Sequence, residues 1–232
     1  GHIAIALQLP GLDRLTGAVG IGDHLLRQRH RIDGFEIVLR IAPGEMAFDI
    51  DGVVANTMRL FLDIVRERYG VNHIRIEDIT CYNLEDCLDI DPETITGAIR
   101  MLLQGDYPHV LHPMAGCRRV LEQMARAVPR LLFVTARPNR EVITSWLHDL
   151  LRIPEKAIEV VATGSFEAKI DVLREARIAH FVEDRLETCF LLADAGIAPI
   201  VYRQPWNRQP HPFIEVGGWD DIEALLRFYP GF

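Results

Sequence analysis

The run Leu131-Leu132-Phe133-Val134 is short, wholly apolar and followed at once by the hydroxyl of Thr135. Three comparable runs come after it, at residues 158–162, 180–183 and 197–202, and each is preceded by apolar residues at helical spacing. Short apolar strands that alternate with helices are typical of a parallel sheet covered by helices on both faces. The sequence therefore predicts an α/β fold built on such a sheet.

A further apolar run, Met46-Ala47-Phe48, leads into Asp49-Ile50-Asp51-Gly52. Residues two apart on an extended strand point the same way, so Asp49 and Asp51 can face one cavity where Gly52 opens a turn. Two carboxylates can then divide the work of phosphoryl transfer, because one attacks phosphorus while the other holds the proton that the leaving oxygen needs. Taken alone, the pair could equally cap the helix that is predicted after Asn56.

Other polar groups follow other apolar runs. Thr135 could donate to a phosphate oxygen or cap the helix after Pro138. Lys169, near the start of a predicted helix, could neutralise a phosphate or lie on a solvated face. Glu183 and Asp184 close a further strand. Ligands of parallel sheets bind beyond the carboxyl ends of the strands, so we expect these groups and the two aspartates to converge.

Several carboxylates beside a negatively charged substrate require a divalent cation between them. Mg²⁺ is the cofactor expected, because it prefers oxygen ligands in an octahedron. Asp49, Asp184 and the backbone carbonyl of Asp51 would form part of its shell, with Glu183 beside them. Glu187, one turn further on, could orient a ligand or a water, or could be a surface glutamate.

Bulk composition narrows the classes of function. With 232 residues, 49% of them hydrophobic, the chain can form one α/β domain with a real core. The formal charge of −8 argues against a nucleic-acid partner, and no apolar stretch approaches the roughly 20 residues that cross a bilayer. The four cysteines show no C-x-x-C spacing and the N-terminus shows no signal-peptide pattern, so we expect a cytoplasmic protein with buried thiols and no membrane partner.

Together these motifs resemble those of the haloacid dehalogenase-like (HAD) hydrolase superfamily, over residues 46–202. The phrases D-I-D-G-V-V-A-N from Asp49, T-A-R-P from Thr135, V-E-D-R from Val182 and Q-P-W-N from Gln204 are most similar to the 5'(3')-deoxyribonucleotidase-type branch and its bacterial relatives. The resemblance implies a Rossmannoid parallel sheet with helices on both faces. It also implies a small helical cap, inserted after the first strand motif.

The resemblance assigns a role to each motif. Asp49 would form an aspartyl-phosphate, and Asp51 would act first as general acid and then as the base that activates water. An acid at position 51 favours a phosphatase, because relatives that displace halide keep no proton donor there. Asp184 would complete the magnesium site, and Glu183 departs from the double aspartate often seen in this branch. The residues that would bind the phosphoryl group are Thr135, Ala136 and Lys169.

By the same resemblance, residues 1–35 are an N-terminal arm of unknown role, residues 57–112 are the cap, and residues 36–56 and 113–232 form the core domain. Helix starts at Asn56-Thr57 and at Asp91-Pro92 are consistent with a helical insert. The arm could pack on the domain or on a second subunit in a homodimer. Phe61 could be a specificity residue or plain helix core. The full set of candidate residues for substrate specificity is Phe61, Tyr82, Tyr107, Arg137, Trp206 and Asn207.

The function expected is that of a magnesium-dependent phosphomonoesterase acting on a small phosphorylated metabolite, with a nucleoside monophosphate as the first substrate to test. One alternative keeps the chemistry and changes the substrate to a sugar phosphate or another small metabolite. A second alternative is a binding or interaction module whose catalytic site is vestigial. The intact set of Asp49, Asp51, Lys169 and Asp184 argues against that module.

Overall fold

A computed structural model describes residues 30–32, 35–37, 40–107 and 110–228 of the chain. Its main sheet has six parallel strands. Their bounds are Met46–Phe48 (β3), Leu131–Thr135 (β4), Ile158–Ala162 (β5), His180–Glu183 (β6), Ala198–Tyr202 (β7) and Ile214–Val216 (β8). A separate antiparallel pair precedes them, His30–Ile32 (β1) and Phe35–Ile37 (β2). The α/β fold with a parallel sheet is confirmed.

Helices connect the strands of the main sheet. Their bounds are Thr57–Tyr69 (α1), Pro92–Gln104 (α2), Cys117–Met124 (α3), Glu141–Leu150 (α4), Lys169–Glu175 (α5), Leu186–Asp194 (α6) and Trp219–Leu225 (α7). The spatial strand order is β5-β4-β3-β6-β7-β8, so β4 and β5 extend to one side of β3 and β6 to β8 to the other. A reversal of this kind opens a crevice beyond the carboxyl end of the central strand, where ligands of open α/β sheets bind.

The main sheet is buried on both faces, as expected for parallel strands under helices. On one face the Phe48 ring lies 6.1 Å from that of Phe133 and 5.1 Å from that of Trp219, measured between ring centroids. On the other face Ala47 and Phe181 belong to a second apolar cluster. Burial of these apolar side chains stabilises the strands whose ends carry the polar motifs.

Residues 57–112 contain α1, two short 3-10 turns and α2, and the two helices pack against each other. Helix α1 ends at Gly70, which has a φ of +71°. Helix α2 begins after Asp91, whose carboxylate accepts from the backbone N–H of Thr94 over 3.1 Å. Both helices were predicted from these end signals.

The structure departs from the sequence-based prediction at both ends of the chain. Of the strand predicted for residues 36–41, residues 36 and 37 belong to β2, residues 38–39 lie outside the described residues, and Ile41 instead forms an isolated bridge with Leu226. Strand β8 and helix α7 had not been predicted. Most of the predicted N-terminal arm, residues 1–29 and 33–34, lies outside the described residues.

The cysteines form no disulfide, and Cys117 and Cys189 are buried in α3 and α6. The prediction of buried thiols is thus met at these two positions, whereas Cys81 and Cys87 are half-buried. Over the ranges that the structure describes, every helix is too short or too polar to cross a bilayer.

Candidate active site

The carboxyl ends of β3, β4 and β6 lie side by side and bring the predicted motifs into one crevice. Asp49 follows β3, Thr135 is the last residue of β4, and Asp184 follows β6. All three line a cavity of about 310 Å³, together with Asp51 and Ala136. Groups that are far apart in sequence therefore share one pocket.

Lys169 lies completely buried beneath this pocket, so the alternative of a solvated lysine is wrong. Its Nζ is 2.9 Å from Oδ1 of Asp49 and 2.8 Å from Oε2 of Glu183. Burial alone would lower the pKa of Lys169, but the two carboxylates raise it above its usual range. The two carboxylates therefore favour the charged ammonium, which lies within hydrogen-bond distance of Asp49 and fixes its position.

Glu183 also accepts hydrogen bonds from backbone groups. Its Oε1 accepts from the backbone N–H groups of Asp184 and Arg185 over 3.1 and 3.0 Å. With Lys169 on its other oxygen, Glu183 has donors on both sides of its carboxylate. These contacts suit Glu183 to hold Lys169 and the turn after β6 in place better than they suit it to bind a metal.

Oxygens of Asp49, Glu183 and Asp184 lie within 4.8 Å of one another, and all three residues are buried. Burial, opposed by Lys169 and reinforced by Glu183 and Asp51, raises the pKa of Asp49 to about 7. Burial and the nearby carboxylates of Glu183 and Asp49 raise the pKa of Asp184 well above its usual range. A divalent cation would relieve this crowding, and oxygen donors suit Mg²⁺. The residues present fit the ion, with Asp49 and Asp184 as the side chains that would hold it.

The segment Gln204–Asn207 ties the ends of β3 and β6 together. The Trp206 indole Nε1 donates to Oδ2 of Asp184 over 3.0 Å. Asn207, which is completely buried, donates from Nδ2 to the backbone carbonyl of Asp184 over 2.7 Å. Gln204 donates from Nε2 to the carbonyl of Gly52 over 2.6 Å. Gly52 has a φ of +75°, and a Cβ there would overlap the Asp184 carboxylate.

Asp51 is set apart from the acidic cluster. Its carboxylate accepts from Arg137 through Nε over 2.8 Å and through Nη2 over 2.7 Å, and from the Thr57 hydroxyl over 2.7 Å. Burial would raise the pKa of Asp51, but the charge of Arg137 and these hydrogen bonds hold it below its usual range. The side chain of Asp51 is thus committed to Arg137 and Thr57, so any share it has in a metal shell falls to its backbone carbonyl.

Thr135 is buried, and its Oγ1 accepts from the backbone N–H of Arg137 over 3.2 Å. Helix α4 is instead preceded by Arg140 at its N-cap, so the capping alternative for Thr135 is wrong. Thr57 had been noticed only as the start of a helix. Its contact with Asp51 depends on how α1 leaves the β3 turn, which no local spacing signals.

Beyond its acidic end, the pocket is lined mainly by apolar side chains. Tyr82 stands edge-on to the Phe166 ring at 5.7 Å, and the guanidinium of Arg185 lies 4.2 Å from the Phe166 centroid and 5.1 Å from that of Tyr82. The segment between α1 and α2 thereby packs against the residues that precede α5 and α6. Carbon-rich lining residues are Met58, Phe61, Ile79, Leu84, Ile99, Leu102, Leu103, Pro138, Phe166 and Trp206.

The remaining candidates lie in different settings. Phe61, Tyr82, Arg137 and Trp206 line the pocket. Tyr107 lies in another groove, against α1. Glu187 and Asn207 are also outside the pocket lining: Glu187 is exposed, with its carboxylate 3.6 Å from Nε of Arg185, and Asn207 serves the backbone contacts described above.

Comparisons with known proteins agree on one superfamily. A model of the family described as 5' nucleotidase, deoxy (pyrimidine), cytosolic type C protein (NT5C) matches residues 45–229. A haloacid dehalogenase-like family hydrolase from Streptococcus pneumoniae is similar in structure, with a TM-score of 0.51, 12% identity, and coverage of 76% of this chain and 95% of the other. CbbY from Rhodobacter sphaeroides, crystallised with xylulose-(1,5)bisphosphate, gives a TM-score of 0.51 at 15% identity over 78% and 98% of the two chains. No curated protein matches the sequence.

Proposed function

The chain belongs to the 5' nucleotidase, deoxy (pyrimidine), cytosolic type C family of HAD-like hydrolases, and we propose that it cleaves phosphomonoesters through an aspartyl-phosphate formed on Asp49. Family membership makes the protein a hydrolase of phosphoric monoesters. The observation that carries the finer proposal is the buried contact of Lys169 with Asp49 beneath the pocket. A carboxylate held by a fixed ammonium is oriented for attack on phosphorus.

The proposed reaction has two half-steps. In the first, an oxygen of Asp49 bonds to phosphorus, the bond from phosphorus to the ester oxygen breaks, and a proton on the Asp51 carboxyl passes to that oxygen. Because Arg137 and Thr57 hold the pKa of Asp51 below its usual range in the free protein, this step requires the negative charge of the bound substrate to raise that pKa. In the second, Asp51 takes a proton from water as the water oxygen attacks phosphorus, and the bond to Asp49 breaks to release phosphate. Thr135 and Lys169 are the side chains that would stabilise the charge on the phosphoryl oxygens.

We propose Mg²⁺ as the cofactor, held by Asp49 and Asp184. When bound, the ion supplies positive charge to the phosphoryl oxygens and offsets the repulsion between substrate and carboxylates. The protein contributes the placement of the two ligands. Trp206 and Asn207 fix Asp184 through its carboxylate and its backbone, and Lys169 fixes Asp49.

For the leaving group, we propose a nucleoside. The family description favours it, and an apolar wall with the Phe61, Tyr82 and Phe166 rings suits a flat heterocycle. A sugar phosphate fits less well, because its hydroxyl groups would lie against hydrocarbon without partners, at a cost of about 1–3 kcal/mol for each buried group. We further propose that residues 57–112 act as a cap, since their Tyr82 rests on Phe166 of the core.

The test is release of phosphate from p-nitrophenyl phosphate and from a panel of nucleoside monophosphates and sugar phosphates, with and without Mg²⁺. We expect turnover that needs the ion, is lost in Asp49→Asn, and favours nucleotides over sugar phosphates. Indifference to every nucleotide would refute the substrate proposal. Inertness towards all esters with every divalent ion would refute the enzyme and favour a vestigial binding module.

A further inference from the structure

The two oxygens of the Asp51 carboxylate are not equivalent. Oδ1 accepts from the Thr57 hydroxyl and from Nη2 of Arg137, each over 2.7 Å. Oδ2 accepts from Nε of Arg137 over 2.8 Å. A carboxylate oxygen has two lone-pair sites, so Oδ1 is filled and Oδ2 keeps one site. Oδ2 is therefore the oxygen at which a proton can be carried and exchanged.

We propose that Arg137 and Thr57 are positioning residues that fill Oδ1 of Asp51 and turn Oδ2 towards the ester oxygen of the substrate. The inference rests on the proposed function, in which Asp51 is the proton donor. In the step concerned, Asp49 bonds to phosphorus, the ester P–O bond breaks, and the proton on Oδ2 passes to the ester oxygen. Arg137 then acts through Asp51. This differs from the sequence-based expectation, which placed Arg137 among the specificity residues that contact the substrate.

The surroundings of Arg137 support this role. Its side chain is only 3% exposed, and two of its nitrogens bind the two oxygens of one carboxylate, which fixes the plane of both groups. Its backbone N–H is held by Thr135 at the end of β4. Thr57 is the first residue of α1. Asp51 is therefore clamped between the end of a central strand and the start of a helix, both rigid elements.

The role has a signature that simple structural support lacks. Proton donation matters in proportion to the basicity of the leaving oxygen. The nucleoside of a nucleoside monophosphate leaves as a strongly basic alkoxide unless its oxygen is protonated, whereas p-nitrophenolate leaves readily without a proton. Misplacing Asp51 should therefore slow formation of the aspartyl-phosphate far more from the first ester than from the second, whereas its later hydrolysis is common to both. Loss of phosphate binding, by contrast, would affect both esters alike.

The experiment compares kcat/KM for a nucleoside monophosphate and for p-nitrophenyl phosphate, using the whole chain with Mg²⁺, because kcat/KM reports the steps up to release of the leaving group and not the later hydrolysis of the aspartyl-phosphate, which both esters share. Thr57→Val, nearly isosteric, is expected to lower kcat/KM for the nucleotide about tenfold and Arg137→Ala about 100-fold, with changes below about threefold for p-nitrophenyl phosphate. Arg137→Lys keeps the positive charge but loses the pair of N–H donors that bind both oxygens of Asp51. We therefore expect its activity to lie between those of wild type and Arg137→Ala. Asp51→Asn sets the upper limit of the effect. Arg119→Ala is the matched control, because Arg119 also binds two carboxylates, Asp220 and Glu223, but on the exposed α3–α7 face.

A second readout guards against misfolding. Free guanidinium added to Arg137→Ala should restore nucleotide turnover at least severalfold, because the vacated space adjoins the open pocket. Equal losses of kcat/KM on both esters would overturn the proposal and assign Arg137 to substrate binding. If Asp51→Asn lowers kcat/KM for both esters alike while wild type remains active, the positioning role falls and the phosphatase stands. If wild type cleaves no ester, the proposed function falls and the positioning role with it.

Discussion

The Trp206 indole donates its N–H to the Asp184 carboxylate over 3.0 Å, inside a buried contact. This bond selects one orientation of Asp184 and leaves its Oδ1 free of the indole. Partners of this kind orient the ligands of a metal, and their loss typically weakens binding about 10- to 100-fold. The relationship between the two residues therefore bears directly on the affinity for Mg²⁺.

Trp206→Phe should weaken Mg²⁺ binding by about tenfold or more, since the ring still fills its place but the hydrogen bond is lost. Isothermal titration calorimetry of the metal-free protein with Mg²⁺ measures this without any substrate. Trp146→Phe is the matched control, because its indole donates to the backbone carbonyl of Leu111, away from the pocket. Equal affinities in wild type and Trp206→Phe would show that the indole does not orient a metal ligand.

Lys169→Met should lower the free energy of unfolding by about 3–5 kcal/mol, because it leaves Asp49 and Glu183 buried without their cation. Urea denaturation measures the loss. Lys156→Met, on an exposed lysine, should change stability by less than about 0.5 kcal/mol. Adding Glu183→Gln to Lys169→Met should recover part of the loss. No recovery in the double variant would mean that charge imbalance is not the cause.

Gly52→Ala should impair both stability and Mg²⁺ affinity. Gly52 and Gly70 both have a positive φ, of +75° and +71°, so an alanine costs about 1–2 kcal/mol of backbone strain at either site. A Cβ meets nothing within 4 Å at Gly70, but overlaps the Asp184 carboxylate at Gly52. Gly70→Ala should therefore keep wild-type Mg²⁺ affinity in calorimetry while Gly52→Ala loses it. Matching affinities in the two variants would contradict this account of Gly52.

The stability of the metal-free protein should fall as pH rises. The pKa of Asp49 is raised from 3.8 to about 7 in the folded chain, so the folded state binds the proton more tightly. Its contribution is complete below about pH 4 and is lost as pH approaches 7. We expect the thermal midpoint in EDTA to drop by roughly 3 °C or more between about pH 5 and about pH 8, and Mg²⁺ to reverse the drop. Asp49→Asn, which does not titrate, is the control and should show a smaller slope; equal slopes would rule out Asp49 as the source.

Much of the fold could be predicted because strand and helix periods are local properties. The strands ending at Thr135 and Glu183 carry dense apolar runs, and Gly70 and Asp91 mark helix ends. Strand β8 has only three residues, and its half-buried Ile214 and Glu215 give no clear period. Strand β8 is defined by its pairing with β7, a long-range contact that the local sequence does not indicate.

The site was predictable to the extent that parallel strands place their carboxyl ends together. That rule brings Asp49, Thr135 and Asp184 to one crevice. It does not tell which side chains bind one another across 86 residues, as Arg137 and Asp51 do. Such contacts depend on how loops and helices leave the sheet, and for this reason Arg137 was grouped with the specificity residues.

Helix α1 connects the wall of the pocket to Asp51, the proposed general acid. Its first residue, Thr57, donates a hydrogen bond to Asp51, and one turn later Phe61 lines the cavity. Under the proposed function, a leaving group that contacts Phe61 would therefore bind the same helix that orients the Asp51 carboxyl group. An ester too short to reach Phe61 should then lose turnover more than it raises KM, because the groups proposed to bind the phosphoryl end remain within its reach.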